Sequence, residues 1–183
     1  MASGSSHDCA TCWLGLAFGL LCWPFLGWIG SCTGTLAFLI GGLLLSPDLD
    51  TISRPTRRWG PLQLLWWPYR RLLKHRSLFS HSPVLGTGGR LAYLVGLALA
   101  WAWLLAPWGA PTPGVLLQRG QQLWSQHQAL VLLTLAGLEA SSWLHLIQDG
   151  DPIPKPPRFL RLLSRRSRRQ AKRGQPRRYR PPG

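Results

Sequence analysis

The stretch Cys9–Leu45 contains no charged side chain, and this feature constrains the fold more than any other. A helix needs about 20 apolar residues to cross a bilayer, so the stretch is too long for one crossing. Pro24 and Gly27 lie near its middle, where a turn is expected. We therefore predict a helical hairpin with short arms over residues 9–26 and 28–45.

Two further apolar segments, 91–108 and 129–147, have the length and composition of spanning helices. Within the polar and basic segment 46–90, residues 61–74 mix Leu and Trp with Arg, which favours a position at the membrane interface over a solvent loop. The Arg- and Pro-rich residues 153–183 predict a disordered basic tail. The predicted fold is all-α: a small polytopic membrane bundle of about four transmembrane helices over residues 1–152, with an interfacial basic loop and this tail.

The positive charges are distributed unevenly among the connecting segments. The chain has 21 Lys and Arg against 6 Asp and Glu, a net charge of +15. Eight lie in segment 54–90 and twelve in the tail, whereas the predicted loop or short surface helix 115–128 holds only Arg119. Since cytoplasmic loops carry the excess of Lys and Arg, we predict a multi-pass membrane protein with both termini in the cytoplasm.

This topology gathers most acidic and histidine side chains at the cytoplasmic ends of the helices. Only His127 and Glu139 lie elsewhere. Imidazole and carboxylate together suit Zn, Mn or Fe, and the number of donors is enough for two divalent ions. The gathered residues are His7, Asp8, Asp48, Asp50, His75, His81, His145, Asp149 and Asp151.

Two short patterns within this set have ligand spacing. Asp48 and Asp50 are two residues apart and can share one cation or bridge two, although Pro-Asp also simply ends a helix. His145 and Asp149 are spaced i, i+4 and share a helix face, which suits two ligands or a ligand and its hydrogen-bonding carboxylate. Each pattern also fits an ordinary helix end, so the prediction of a metal site rests on their coincidence.

Two other features have competing interpretations. Glu139 lies within an apolar segment, where a carboxyl group is costly and is either functional or protonated and bonded to a Ser, a Thr or a backbone carbonyl. Cys9 and Cys12 form a C-x-x-C pair, but no second pair follows, which favours small residues at the start of a helix over a redox or metal site.

Six longer motifs stand along residues 1–152: His7-Asp-x-x-Thr11, Ser46-Pro-Asp-Leu-Asp-Thr51, Arg58-Trp-Gly, Leu65-Trp-Trp-Pro-Tyr-Arg-Arg71, His75-Arg-Ser-x-x-Ser-His81-Ser-Pro and Ser142-Trp-x-His145-x-x-x-Asp149. This set resembles a bacterial family of metal-binding membrane proteins of unknown function. It is similar, more loosely, to the membrane-bound metal-dependent hydrolases. The resemblance implies the inner (plasma) membrane of a bacterium.

The resemblance also implies roles for individual residues. His75 and Arg76 would be catalytic and face the substrate, and the metal ligands would be His7, Asp48, Asp50, His81, His145 and Asp149. The expected activity is metal-dependent hydrolysis of a phosphorylated or lipid-like substrate at the cytoplasmic face, since Arg76 can hold an anionic group.

Two alternatives belong to other classes. A non-catalytic metal-binding or sensing protein fits the same ligands. A metal-free lipid phosphatase fits the late His-x-x-x-Asp, but Ser80-His-Ser-Pro83 has the wrong order for its motif. The expected partners are membrane lipids, with anionic headgroups at the basic tail. Nucleic acid is disfavoured because Tyr179 is the one aromatic residue after Phe159 available for stacking on bases.

Overall fold

The computed structural model describes residues 4–73, 77 and 79–150, and over these residues the chain is helical and has no strand. The all-α prediction is therefore confirmed for the described part, whereas the predicted tail lies outside it. The α-helices are α1 (Gly4–Leu43), α2 (Arg54–Arg58), α3 (Trp67–Leu72), α4 (Leu85–Leu105) and α5 (Pro113–Gln148). Shorter 3-10 helices cover Pro47–Asp50, Gly60–Trp66 and Ala106–Trp108.

Helix α1 is the predicted hairpin. Its helical geometry breaks at Leu26 (φ −135°) and Gly27 (φ 58°), and the positive φ favours glycine. The arms on either side face each other closely: a methyl group on Gly34 would lie 2.8 Å from the Cys22 Sγ. Small residues thus allow the two arms to pack backbone to backbone, as in membrane helix pairs.

Among the described residues, three helical elements are long and apolar enough to cross a membrane: α1 with the turn that follows it, α4 with its 3-10 extension, and α5. About four spanning helices were predicted. The difference arises at the hairpin, whose two arms form one continuous apolar element with a bend at Gly27.

Helix α5 packs along the second arm of α1 through another seam of small residues. A methyl group on Gly41 would lie 2.0 Å from the Ser141 Oγ, and one on Gly137 would lie 2.8 Å from the Ala37 Cβ. This close packing brings the end of α5 beside the residues that follow α1.

The predicted start of α4 was wrong, since this helix begins at Leu85 rather than at residue 91. Helix α5 begins at Pro113 and covers residues 115–128, where a loop or a short surface helix was predicted, so the structure supports the helical alternative. Polar residues near each start resembled loop sequence, but Pro113 at the first turn is well suited to begin a helix. The predicted boundary between residues 128 and 129 corresponds to a local break in the helical geometry at His127 (φ −133°).

The segment between α1 and α4 has its own core. Leu49, Trp66 and Tyr69 are buried together, and the rings of Trp66 and Tyr93 lie 5.5 Å apart. The Trp59 indole donates to the Leu44 carbonyl at 3.0 Å, which ties the segment to the end of α1. It is therefore an ordered platform rather than a simple loop. Its position at a membrane interface stays a prediction.

Candidate metal centre

The turn after α1 positions two carboxylates. Pro47 begins a 3-10 helix that ends at Asp50, and the Ser46 Oγ accepts a hydrogen bond from the Asp48 N–H at 3.4 Å. The Ser53 hydroxyl donates to the Asp48 carbonyl at 2.9 Å. These local bonds fix the backbone, so Asp48 and Asp50 are presented by a rigid turn.

Asp48 lies between two imidazoles that are distant in sequence. Its Oδ1 is 3.6 Å from the His81 Nε2, and its Oδ2 is 3.4 Å from the His145 Nε2. The Ser46 Oγ lies 3.4 Å from the His145 Nδ1, the other ring nitrogen. Asp48 therefore divides the centre into two halves that share it.

The first half, which we call the open half, consists of His7, Asp48, His145 and Asp149. The His145 Nε2 is 3.4 Å from the Asp149 Oδ2, and the His7 Nε2 is 3.2 Å from the Asp149 Oδ1. The two imidazole rings stack with centroids 4.3 Å apart. Ligand atoms of Asp48, His145 and Asp149 all lie within 4.8 Å of one another, close enough to hold one ion.

The second half, which we call the closed half, consists of Asp48, Asp50 and His81. The His81 Nδ1 is 3.3 Å from the Asp50 Oδ2, and ligand atoms of all three residues again lie within 4.8 Å of one another. The Asp50 side chain is 0% exposed and that of His81 5%, against 28% for Asp48. The two halves thus have the same donor types but different access to solvent.

The protonation of His81 reflects its neighbours. Burial alone lowers the pKa of His81, but hydrogen bonds and negative charges from Asp48 and Asp50 outweigh burial and raise it to about 9. A neutral imidazole is the form that binds metal, so a cation at this position must displace a proton. The same carboxylates that stabilise the proton would stabilise the cation.

The hydrogen bonding of the donor atoms is consistent with a metal site. The His145 Nε2 is buried and has no hydrogen-bond partner among the described residues, although two carboxylate oxygens lie 3.4 Å away. Unpaired buried polar atoms are costly and need an explanation. Nitrogen and carboxylate oxygen at these separations are the donor set of Zn, Mn or Fe.

A cleft leads from the open half to the surface. It has a volume of about 70 Å³, and its walls include His7, Asp48, His145 and Arg54. Asp8 also lines the cleft but does not face the centre, because its Oδ2 pairs with the guanidinium groups of Arg54 and Arg58. Asp8 therefore belongs to the rim of the site.

Of the eight predicted site residues, the structure brings six together: His7, Asp48, Asp50, His81, His145 and Asp149. His75 and Arg76 lie outside the described residues. Glu139 is not at the centre, since its Oε1 accepts a hydrogen bond from the Val84 N–H at 2.8 Å, at the start of α4. Glu139 thus has a partner, but this partner is a backbone N–H rather than the predicted hydroxyl group or backbone carbonyl.

The sequence analysis did not predict a structural role for Arg90, which was counted only among the positive charges of segment 54–90. Arg90 is fully buried and donates to the Ser80 carbonyl at 3.1 Å and to the Ser142 Oγ at 2.7 Å. It thereby joins the residue before His81 to α5. A lone Arg at the start of an apolar segment was the available signal, because a charge there must find partners.

Comparison with known proteins identifies the family. Residues 2–154 match the family described as uncharacterized metal-binding protein (DUF2227), so the chain belongs to that family. An uncharacterized protein of Aquifex aeolicus (strain VF5) is 43% identical over 60 residues, which cover 32% of this chain and 42% of that protein. The match thus spans less than half of that relative's length. No solved structure matches the chain.

Proposed function

We propose that this chain is an integral membrane metal-binding protein whose centre hydrolyses a phosphorylated or lipid-like substrate at the cytoplasmic face. The observation that carries the proposal is the position of Asp48. Its two oxygens each lie against a different imidazole, His81 or His145, and each imidazole contacts a second carboxylate. Such shared carboxylates suit two neighbouring metal ions.

The ligand residues form two sets, one for each of two cations. Asp48, His145 and Asp149 would hold one ion, and Asp48, Asp50 and His81 a second. His7, which was predicted as a ligand, belongs to neither of these two groups; it is placed to orient Asp149 by donating to it, which is the usual way in which an outer residue fixes a ligand. When bound, such a cation lowers the pKa of a water molecule and supplies a nucleophile near neutral pH.

The cleft favours hydrolysis over a purely structural site. Structural metal sites are closed by protein ligands, whereas catalytic sites keep one position open. The open half adjoins the cleft through His7, Asp48 and His145, so a substrate group can approach it. The proposed catalytic residues His75 and Arg76 precede His81 in the chain.

The same structure supports one other function. Asp50 and His81 have almost no exposed side chain, and a site as enclosed as the closed half suits an ion that stays in place. Such an enclosed metal site would be sufficient for a non-catalytic metal-binding or sensing protein. The cleft at the open half is what favours the enzyme.

A groove in the apolar surface supports a lipid-like substrate. It has a volume of about 730 Å³ between α5 and the first arm of α1, and its walls include Leu14, Phe18, Trp143 and Ile147. Leu14 lies two helical turns from His7, about 10 Å at the helical rise. An acyl chain in this groove would place its headgroup near the open half.

Metal content is the first test. The full chain in detergent is loaded with Mn²⁺ or Zn²⁺, dialysed and measured by elemental analysis, for the parent, Asp48→Ala and His145→Ala. His127→Ala is the matched control, since His127 is exposed and outside the centre. We expect metal in the parent and the control and its loss in both centre variants. A parent without metal under any loading condition would exclude the proposal.

Hydrolysis separates the candidate functions. Phosphate monoesters and lipid phosphates are offered to the metal-loaded chain with and without chelator. Activity that disappears with chelator and in Asp149→Asn supports the hydrolase, and bound metal without activity supports the sensor. Activity that persists in chelator indicates the metal-free phosphatase chemistry instead.

A further inference from the structure

Two arginines beside the cleft share one carboxylate partner. The Asp8 carboxylate is held by Arg58, whose other nitrogen donates to the Leu43 carbonyl at 3.0 Å. Arg54 is a second partner of the same Asp8 oxygen, at the longer distance of 3.6 Å. Among the described residues, Arg58 by itself can therefore balance the Asp8 charge, and Arg54 is not needed for that role.

Arg54 is more exposed than Arg58. The Arg54 side chain is 60% exposed, against 32% for Arg58, and its stem lies over Gly4, where a methyl group would be 2.9 Å from the Arg54 Cδ. It lines the cleft together with His7, Asp48 and His145. A weak, exposed ion pair contributes little stability, so exchanging it for another anion costs little.

We propose that Arg54 is an anion-recognition residue of this site, in addition to Arg76, and that it binds a phosphoryl oxygen of the substrate. The inference rests on the proposed function and names the substrate class for the same centre. A guanidinium binds phosphate through two parallel N–H donors, which an exposed Arg at the edge of a cleft can aim at a bound group. The volume of about 70 Å³ admits a small group such as phosphoryl.

The acidic residues in the cleft make this recognition conditional. Asp8 and Asp48 line the same cleft, and their negative charges oppose an anion when no cation is present. Phosphate should therefore bind to the metal-loaded chain and only poorly to the metal-free chain. Arg54 adds to this binding without itself holding the metal.

The test is calorimetric titration of inorganic phosphate into the Mn²⁺-loaded full chain in detergent. We expect Arg54→Ala to weaken phosphate binding about 10-fold, equal to about 1.4 kcal/mol, with its manganese content unchanged. Arg54→Lys should retain part of the affinity. Arg57→Ala is the matched control, because Arg57 is an exposed Arg of the same helix that does not line the cleft; it should bind like the parent.

A second comparison identifies the source of the phosphoryl group. The chain is reconstituted in phosphatidylcholine vesicles with and without phosphatidic acid, and the phosphate titration is repeated. Competition by phosphatidic acid that requires Arg54 indicates a lipid headgroup, and its absence indicates a soluble phosphate ester. Metal-loaded Arg54→Ala that binds phosphate like the parent would overturn the inference and leave the proposed function intact. A chain that takes up no metal and binds no phosphate would overturn both.

Discussion

The open and closed halves of the centre contain the same kinds of side chain around one shared carboxylate, yet they differ in burial. In the closed half, Asp50 is fully buried and contacts His81 at 3.3 Å. In the open half, Asp149 is 14% exposed and the cleft reaches Asp48 and His145. Burial alone therefore separates a site suited to retaining an ion from one suited to admitting a substrate.

The difference follows from which elements supply each half. The closed half is built from the turn after α1 and the residues before α4, which Arg90 and Ser142 fasten to α5. The open half depends on the end of α5 meeting the start of α1, where His7 stacks on His145. Helix ends are more accessible than an internal turn, so the open half adjoins the surface.

The largest expected effect comes from the residue that the two halves share. Asp48→Asn keeps the shape of the side chain but removes its charge, so both halves lose a ligand. We expect metal affinity to fall by more than the roughly 10- to 100-fold typical of losing an outer partner, with neither ion retained after dialysis. Elemental analysis measures this, with Asp8→Asn as the control. Retention of one ion by Asp48→Asn would show that Asp48 does not bridge the halves.

The next test removes one half at a time. Asp50→Asn and Asp149→Asn should each lose one ion and keep the other. In the parent, chelator should remove the open-half ion first because that half adjoins the cleft, giving two phases of release. Timed chelation followed by elemental analysis distinguishes the phases. A single phase, or the loss of both ions in Asp149→Asn, would contradict the division into two halves.

A smaller effect is expected from the seam between α1 and α5. In Gly41→Ala, the new methyl group would lie 2.0 Å from the Ser141 Oγ and 3.0 Å from the Leu138 Cα, so the helices must separate. Overpacking of this kind costs about 1–3 kcal/mol, and it should weaken the open half more than the closed half. Thermal unfolding and metal titration measure the two effects. Gly96→Ala, with open space around its Cβ, is the control.

The smallest effect concerns pH. In the metal-free chain, the pKa of His81 is raised to about 9, above its ordinary value of 6.5. The ion pairs of His81 with Asp48 and Asp50 therefore contribute fully below pH 6.5, and the contribution is lost as pH rises through 9. We expect the Tm to fall over this range by ~2–4 °C for each kcal/mol lost. His81→Asn should flatten this dependence, and an unchanged slope would assign it to another group.

The sequence predicted the hairpin well because its signals are local. A long uncharged run fixes apolar helices, and a glycine near its middle can adopt the positive φ seen at Gly27. It predicted the start of α4 poorly. The first residues of α4 are rich in glycine, and Arg90 is buried in the helix because partners such as Ser80 and Ser142 accept its hydrogen bonds.

The amino-acid sequence by itself determined that the chain forms apolar helices, and that carboxylates and imidazoles lie next to the ends of these helices. Tertiary structure alone decided which of these groups meet. The i, i+4 spacing of His145 and Asp149 is local, but the approach of Asp48 to both His81 and His145 depends on how α1, α4 and α5 pack. Packing also excluded Asp8 from the centre and buried Arg90, because both outcomes depend on partners far away in the chain.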